Sequence, residues 1–361
     1  MPTRTGVANL PLHGGKAPRW LFERMTLLAR EICIVIVEEF GPDEMLRKMS
    51  DPYWFQAFGC VLGFDWHSSG LTTTACGALK EGIREIQSDL GLFMAGGKGA
   101  ASRQTPKQIE DCGHLISADP ASLVYASKMA AKVDSAALQD GYQLYHHVML
   151  FTRDGSWAVV QQGMNEETRY ARRYHWLGEG VADFVCEPHA AICSERRGEV
   201  LNLVAVESAK AREVISQIAA ENKPEKTIAE LKKLQSLDLP SRHQIIVQDI
   251  HPDRISKIIL STYERSPGDF EELLGLPGVG PKTIRALSLL SELIYGAPPS
   301  FSDPARFSFA HGGKDGIPYP VDRRTYDRSI ELLRKAVFRA KLDSSQKRQA
   351  INRLDDWHFS S

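Results

Sequence analysis

Hydrophobic residues recur at helical spacing along much of the chain and alternate as in a β-strand in only a few places. Over residues 17–40 the apolar positions, among them Leu28, Ile32 and Val35, follow the spacing of an amphipathic helix, which Gly41-Pro42 ends. An alanine-rich stretch without glycine up to Gln139 predicts another helix over residues 120–139.

Strand-like segments fall between these helices and a polar stretch near residue 222. Residues 147–152 and 157–161 are mostly apolar and are joined by Asp154-Gly155, which predicts a β-hairpin. The run Leu201–Val206 predicts a further strand. The first part of the chain therefore mixes helices and strands.

Beyond the polar stretch at residues 222–226 the periodicity is almost entirely helical. The predicted helices are 225–237, 252–265, 269–274, 281–295, 323–341 and 344–356. Residues 296–321, rich in Pro, Gly, Ser and Phe, predict a long loop, a feature that is often functional. We therefore expect an α+β protein, with a mixed α/β catalytic domain at 1–221 and an all-α domain at 222–361.

Composition and charge narrow the class of protein. The 361 residues include 44 Lys and Arg against 45 Asp and Glu, a net charge of −1 that argues against a generally basic, histone-like DNA binder. The most apolar run, Ile32–Val37, is too short to cross a bilayer, and the start of the chain has no signal-peptide pattern. Six scattered cysteines then favour reduced thiols, so we expect a cytoplasmic protein without a membrane partner.

The segment from Asp269 to Ile284 carries the clearest motif. Asp269 and Glu272 have the spacing of a capping box at the start of a short helix. Gly278 and Gly280 permit a tight turn, and Pro281 suits the first turn of the next helix. The pattern resembles a helix-hairpin-helix at 269–295, a motif that grips the DNA backbone without reading sequence.

Lys282 and Thr283 follow the turn and complete the DNA-binding set with the two glycines. Free backbone N–H groups and a positive helix end would meet the phosphate there, and Lys282 adds a charge. A Walker A loop is excluded because Pro281 separates Gly280 from Lys282.

The same motif resembles that of base-excision DNA glycosylases, in which the hairpin lysine is a catalytic amine and a later aspartate completes the site. The segment Pro320–Asp327 looks similar to the glycosylase aspartate segment, which implies catalytic roles for Lys282 and Asp322. Cys193 is the last cysteine, so the iron–sulfur cluster that many such enzymes carry after this region is not expected. The alternative makes Lys282 a phosphate clamp and Asp322 a helix N-cap.

Polar residues of catalytic type are concentrated in the first half of the chain, beside aromatic residues and glycines. Carboxylates and imidazoles are ligands for Mg²⁺ or Mn²⁺, and flanking cations would neutralise a phosphodiester. The candidate catalytic residues are Asp65, His67, Lys132, Asp134, Asp140, His147 and Gln161, with Asp134 and Asp140 as candidate metal ligands.

Three Gly-Gly-Lys triplets form a second set of candidate phosphate contacts. Adjacent glycines let main-chain N–H groups converge on an anion, and the lysine supplies charge. The triplets end at Lys16, Lys98 and Lys314, and the second continues into Arg103. The alternative is a flexible turn beside an ordinary surface lysine.

Cys186, His189 and Cys193 have spacing that could hold zinc with a fourth ligand such as His175. Structural zinc sites usually show a second paired motif, and the sequence has none, so zinc is not expected and buried thiols are the favoured interpretation.

Several segments of the chain together resemble an uncharacterised prokaryotic family, domain of unknown function 763. The similar segments are Arg4–Ala8, Leu10–Gly15, Phe64–Gly70, Ala131–Asp134, Gln139–Gly141, Gln161–Met164 and Ala171–Trp176. The resemblance covers most of residues 4–330; it implies a prokaryotic, cytoplasmic setting and brings no mechanism.

Three functional hypotheses follow. The first is a metal-dependent nuclease of DNA processing or repair, whose helix-hairpin-helix holds the strand. The second is a glycosylase or lyase centred on Lys282 and Asp322, and the third is a non-catalytic DNA-binding scaffold. The strandedness of the DNA and the oligomeric state stay open.

Overall fold

The computed structural model of the chain describes residues 19–64, 70–168, 170–194, 197–235, 252–305 and 323–359. They form an α+β structure, as the hydrophobic pattern predicts. The helices are α1 (Arg19–Phe40), α2 (Pro42–Ser50), α3 (Pro52–Leu62), α4 (Gly70–Ile83), α5 (Gln87–Leu90), α6 (Thr105–Asp111), α7 (Pro120–Lys132), α8 (Ala209–Glu221), α9 (Pro224–Gln235), α10 (Pro252–Arg265), α11 (Phe270–Gly275), α12 (Pro281–Leu293), α13 (Arg323–Arg339) and α14 (Ser344–Phe359).

An antiparallel sheet with the strand order β1-β3-β4-β5-β6 occupies the centre. Its strands are β1 (Leu92–Lys98), β3 (Gln143–Thr152), β4 (Trp157–Met164), β5 (Ala171–Leu177) and β6 (Ala191–Ser194); β2 (Leu138–Gln139) and β7 (Leu201–Asn202) form a separate pair. The predicted hairpin is confirmed as β3 and β4, and Gly155 takes the positive φ of 97° that its turn requires.

Helices cover both faces of the sheet, so its strands are buried on each side. On the first face, Phe93, Phe151 and Trp176 pack with α7, α8 and α10–α12. On the second face, Leu92 and Leu150 pack with α1–α4 and with α13 and α14. Alternation along each strand therefore sends successive side chains into two different cores.

The two cores do not divide the chain at residue 222. The first core contains residues such as Met149 and Leu287 from both sides of that position. The helices after 222 also separate, with α9–α12 on the first face and α13 and α14 on the second. The expected domains at 1–221 and 222–361 are therefore not confirmed.

Two predicted elements are shorter than expected. The helix predicted over 120–139 is α-helical only as far as Lys132. A π-helix over Val133–Ala137 follows, and then β2 begins. The predicted strand Leu201–Val206 ends at Asn202, because the Asn202 Oδ1 accepts the backbone N–H groups of Val204 and Ala205 and turns the chain.

Within the described part of the chain, no helix combines the length and the apolar character that crossing a bilayer requires.

Candidate functional site

The π-helix Val133–Ala137 carries Asp134 into the first face of the sheet, where its side chain is completely buried. The carboxylate accepts three hydrogen bonds: from His189 Nε2 at 2.5 Å, from Gln161 Nε2 at 2.5 Å and from Trp176 Nε1 at 2.9 Å. Single π-helical turns are frequent at functional sites because they redirect side chains out of helical register. Asp134 thus lies in a π-helical turn and meets three donors.

A chain of hydrogen bonds runs from Asp134 to Ser127 on α7. Gln161 donates through its Nε2 to Asp134, so its Oε1 is the atom that faces His147 as an acceptor. His147 Nδ1 then carries the proton, at 2.9 Å from that oxygen, and its Nε2 accepts the hydroxyl of Ser127 at 2.8 Å. The donors and acceptors are therefore consistently paired from Asp134 to Ser127.

Burial lowers the pKa of His147, partly opposed by Gln161 and Asp134, so the ring stays neutral. A neutral imidazole that accepts a hydroxyl and is held by a third group is the arrangement that activates a nucleophile. Here only 2% of Ser127 is exposed, so the hydroxyl is covered. The chain of contacts joins α7 to β3 and β4 and fixes the side chains around Asp134.

Asp140 belongs to a different group, a buried ion cluster centred on Arg172. Its Oδ2 accepts Arg172 Nη1 at 3.0 Å and the hydroxyl of Tyr174 at 2.6 Å. Arg172 also makes two hydrogen bonds, of 3.1 and 2.7 Å, to Asp303 in the segment after α12. Burial raises the pKa of Asp140, and Arg172 opposes that rise.

Lys132 does not reach the Asp134 group and instead contacts the turn between α11 and α12. Its amine donates to the carbonyl oxygen of Val279, and Gln139 Nε2 donates to that of Pro281 at 2.9 Å. Arg285 Nε in turn holds Gln139 Oε1 at 2.6 Å. Three side chains thus fix the turn, two of them cationic.

The turn itself is open to solvent. Gly278 has a φ of +83° and is exposed, as is Lys282, and Gly280 is half-buried at the N-cap of α12. Thr283 is buried. The N-cap of α12 is Gly280, so no N-cap side chain accepts the first N–H groups of the helix. The helix-hairpin-helix interpretation stays a prediction.

On the second face, a polar row crosses the same end of the sheet as Gln161 and His147. The residues opposite one another are Lys98, His146, Gln162 and Arg173 on successive strands. Arg173 Nε donates to His175 Nε2 at 2.8 Å, and its Nη2 donates to Gln56 at 3.2 Å. The sheet end is thus polar on both faces.

Lys98 and Arg103 are exposed, at the end of β1 and in the 3₁₀ helix Gly99–Gln104. Gly96, within the triplet before Lys98, has a φ of +97° and lies against the backbone of His147. The glycine here permits close packing of β1 on β3.

Five predicted site residues lie outside the described residues: Asp65, His67, Lys16, Lys314 and Asp322. Asp134, His147 and Gln161 are brought together, whereas Lys132 and Asp140 take part in other contacts. In the described ranges no three His, Cys, Asp or Glu side chains converge as metal ligands, and the expected Mg²⁺ or Mn²⁺ site stays a prediction.

The Cys-x₂-His-x₃-Cys residues are separated by the sheet. His189 bonds Asp134 on the first face, whereas Cys193 on the second face is fully buried beside Arg173. Burial raises the pKa of the Cys193 thiol to about 11, so it stays protonated.

Sequence reasoning missed Ser127, Trp176 and Asp303. Ser127 is one small polar residue in an alanine-rich helix, and Trp176 has the character of an ordinary aromatic core residue. Asp303 lies in the predicted loop, 131 residues from its partner Arg172. The signal in the sequence is Arg172-Arg173 beside the aromatic residues Tyr174 and Trp176, since a guanidinium buried in a strand requires an acidic partner.

Comparison with known proteins gives one match. A family profile described as "Protein of unknown function (DUF763)" matches residues 6–321. No curated protein and no solved structure matches the chain.

Proposed function

Since the chain belongs to the DUF763 family, whose function is unknown, we propose its function from the site itself: it binds the phosphate backbone of DNA and serves in DNA processing or repair. The single observation that supports this proposal is the exposed turn between α11 and α12. There Gly278 and the uncapped start of α12 present backbone N–H groups beside the exposed Lys282. Such a surface suits a phosphate of any sequence.

The contacts behind the turn favour the same proposal. Lys132 and Gln139 donate to the carbonyl oxygens of Val279 and Pro281, so these two oxygens are bonded within the protein and do not repel an anion at the turn. Arg285 in turn bonds Gln139, so contacts within the protein hold the turn in place before an anion binds.

Charge also sets the direction of approach. A cavity of about 700 Å³ lies at the other end of α11, and its lining includes Asp183, Glu213, Asp269 and Glu271. These carboxylates repel a polyanion, so the strand is expected to approach from the side of Lys282.

Nuclease activity is the catalytic part of the proposal, and the described residues support it less directly. The carboxylates of Asp134 and Asp140 are already bonded by protein donors. Asp65 and His67, two further candidate catalytic residues, lie outside the described residues. We therefore propose cleavage as an activity of the DNA-bound protein, to be measured separately from binding.

Binding is measured by fluorescence anisotropy on labelled single- and double-stranded DNA of two unrelated sequences, over a range of salt. Lys282→Ala should weaken affinity equally on both sequences and lower the salt slope by about one. Gly278→Val should weaken it as well, because valine strains the backbone at a φ of +83°. Lys335→Ala, an exposed lysine on α13, is the matched control and should change neither quantity.

Cleavage is measured on the same DNA with Mg²⁺, with Mn²⁺ and with chelator, beside a borohydride-trapping reaction on damaged DNA. Metal-dependent product supports the nuclease, a trapped adduct lost in Lys282→Ala supports the lyase, and binding alone supports the scaffold. The proposal fails if the wild-type protein does not bind DNA, or if both turn variants bind as tightly as the wild type.

A further inference from the structure

A β-bulge in β3 places two aromatic side chains on one face of the sheet. Leu144 pairs with Gly163 and His146 pairs with Gln162, so Tyr145 is the extra residue. Tyr145 and His146 consequently both lie on the second face, as the contact of Gln162 Nε2 with the Tyr145 hydroxyl shows. Lys98 is directly opposite His146 on β1, and its amine lies 5.7 Å from the centre of the Tyr145 ring. We call Lys98, Tyr145, His146 and Gln162 the bulge cluster.

His146 has no hydrogen-bond partner within the structure as described. It is 1% exposed, and both its Nδ1 and its Nε2 are buried without a partner. Leaving a buried polar group without a partner costs about 1–3 kcal/mol, so such a group in a native fold requires an explanation. Its ring is neutral, because burial, with His147 and Lys98, lowers the pKa of His146 to about 3.

The protons of the bulge cluster are arranged to donate. Gln162 Nε2 donates to the Tyr145 oxygen, so the hydroxyl proton of Tyr145 is left to donate elsewhere. Burial raises the pKa of Tyr145, which keeps that proton in place. Lys98 contributes an exposed ammonium, and neutral His146 carries one ring N–H. These three hydrogen-bond donors thus lie together at one end of the sheet, at different depths below the protein surface.

We propose that the bulge cluster is a binding site for a phosphoryl group, which the exposed Lys98 and the half-buried Tyr145 hold at the surface and the buried His146 holds from beneath once the side chains over it move apart. A phosphate supplies several acceptor oxygens and negative charge, which matches an ammonium, a hydroxyl and an imidazole N–H. The site is distinct from the turn at Gly278 and does not depend on DNA binding there. Its ligand is either free phosphate or the phosphate at the end of a nucleic-acid strand.

The test is isothermal titration calorimetry of the full chain with three probes: inorganic phosphate, a 5′-phosphorylated oligonucleotide and the same oligonucleotide with a 5′-hydroxyl. Free phosphate as ligand predicts heat with the first probe. A strand end predicts tighter binding of the phosphorylated oligonucleotide than of the hydroxyl form. In either case Tyr145→Phe, which removes only the hydroxyl, should weaken binding about tenfold or more.

Lys98→Gln is the second variant; the side chain is exposed, so the fold should not depend on it. It should also weaken binding about tenfold, whereas Lys107→Gln, which removes an exposed charge from nearby α6, should change it less than about twofold. Lys282→Ala should leave inorganic phosphate binding unchanged, which separates this site from the turn.

Three results would each overturn the proposal. They are no phosphate-dependent heat in the wild-type protein, unchanged affinity in Tyr145→Phe, and equal losses in Lys98→Gln and Lys107→Gln. The last result would mean that diffuse charge, and not a built site, attracts the anion.

Discussion

Replacing Arg172 by methionine tests the buried ion cluster, because it leaves two carboxylates without their cation. The side chains of Arg172 and Asp140 are each 1% exposed and that of Asp303 is 4% exposed, so water replaces little of the lost interaction. Removing one partner of a buried ion pair costs about 3–5 kcal/mol, and we expect a loss in this range at pH 8.

The loss should depend on pH in a defined direction. Burial already raises the pKa of Asp140, and Arg172 opposes that rise, so the pKa rises further in Arg172→Met. A carboxyl group with a raised folded-state pKa binds its proton more tightly in the folded protein than in the unfolded chain. Its contribution is therefore favourable at low pH and is lost as pH rises through the folded-state pKa. The destabilisation should be smaller at pH 5 than at pH 8 by at least about 1 kcal/mol.

Urea unfolding followed by tryptophan fluorescence at both pH values measures this effect, with the m-value checked for each variant. Arg47→Met is the matched control: Arg47 also pairs with a carboxylate, Glu179, but the two side chains are about half exposed. The free energy of unfolding of Arg47→Met should fall by no more than about 1 kcal/mol at either pH. A loss below about 1 kcal/mol for Arg172→Met, or one that is as large at pH 5 as at pH 8, would refute the reasoning.

Two further predictions concern the sheet end and the turn. Gly96→Ala should destabilise the fold by about 2–4 kcal/mol in urea unfolding, because its Cβ would lie 2.2 Å from the His147 carbonyl oxygen at a φ of +97°. Gly91 has a φ of +62° and open space around it, so Gly91→Ala should lose only the stability that the strained backbone conformation costs. Equal losses of stability in the two variants would contradict the steric argument. Lys132→Met should lower DNA affinity about fivefold in the anisotropy assay and leave the salt slope unchanged. The reason is that Lys132 orients the turn without contacting phosphate. A salt slope lower by about one would instead show direct contact with phosphate.

The elements that the sequence predicts well are those set by local signals. The β3–β4 hairpin follows from Asp154-Gly155 between apolar segments, and α12 begins at Pro281 after two glycines, as predicted. These signals lie within a few residues of the structure that they determine, so tertiary contacts do not change the outcome.

The site was less predictable, because distant contacts decide it. The alanine-rich sequence favours an α-helix through residues 133–137. The chain instead forms a π-helix there, and Asp134 accepts hydrogen bonds from β4, from β5 and from His189. Likewise, the sequence marks Asp140 as a candidate metal ligand, whereas Arg172 and Tyr174 bind it. Neither partnership has a signature in sequence spacing, since both depend on strand register.

Because α13 and α14 cover the second face, the packing of that face is completed late in the synthesis of the chain. These helices pack on α1 and α3, which leave the ribosome far earlier. At about 5–20 residues per second, synthesis from the end of α3 to Leu333 takes roughly 15–55 s. Throughout that interval Ile32, Phe55 and Phe58, all fully buried in the finished protein, have only part of their packing partners. Nascent chains of this protein are therefore expected to need a chaperone until residues 333–354 emerge.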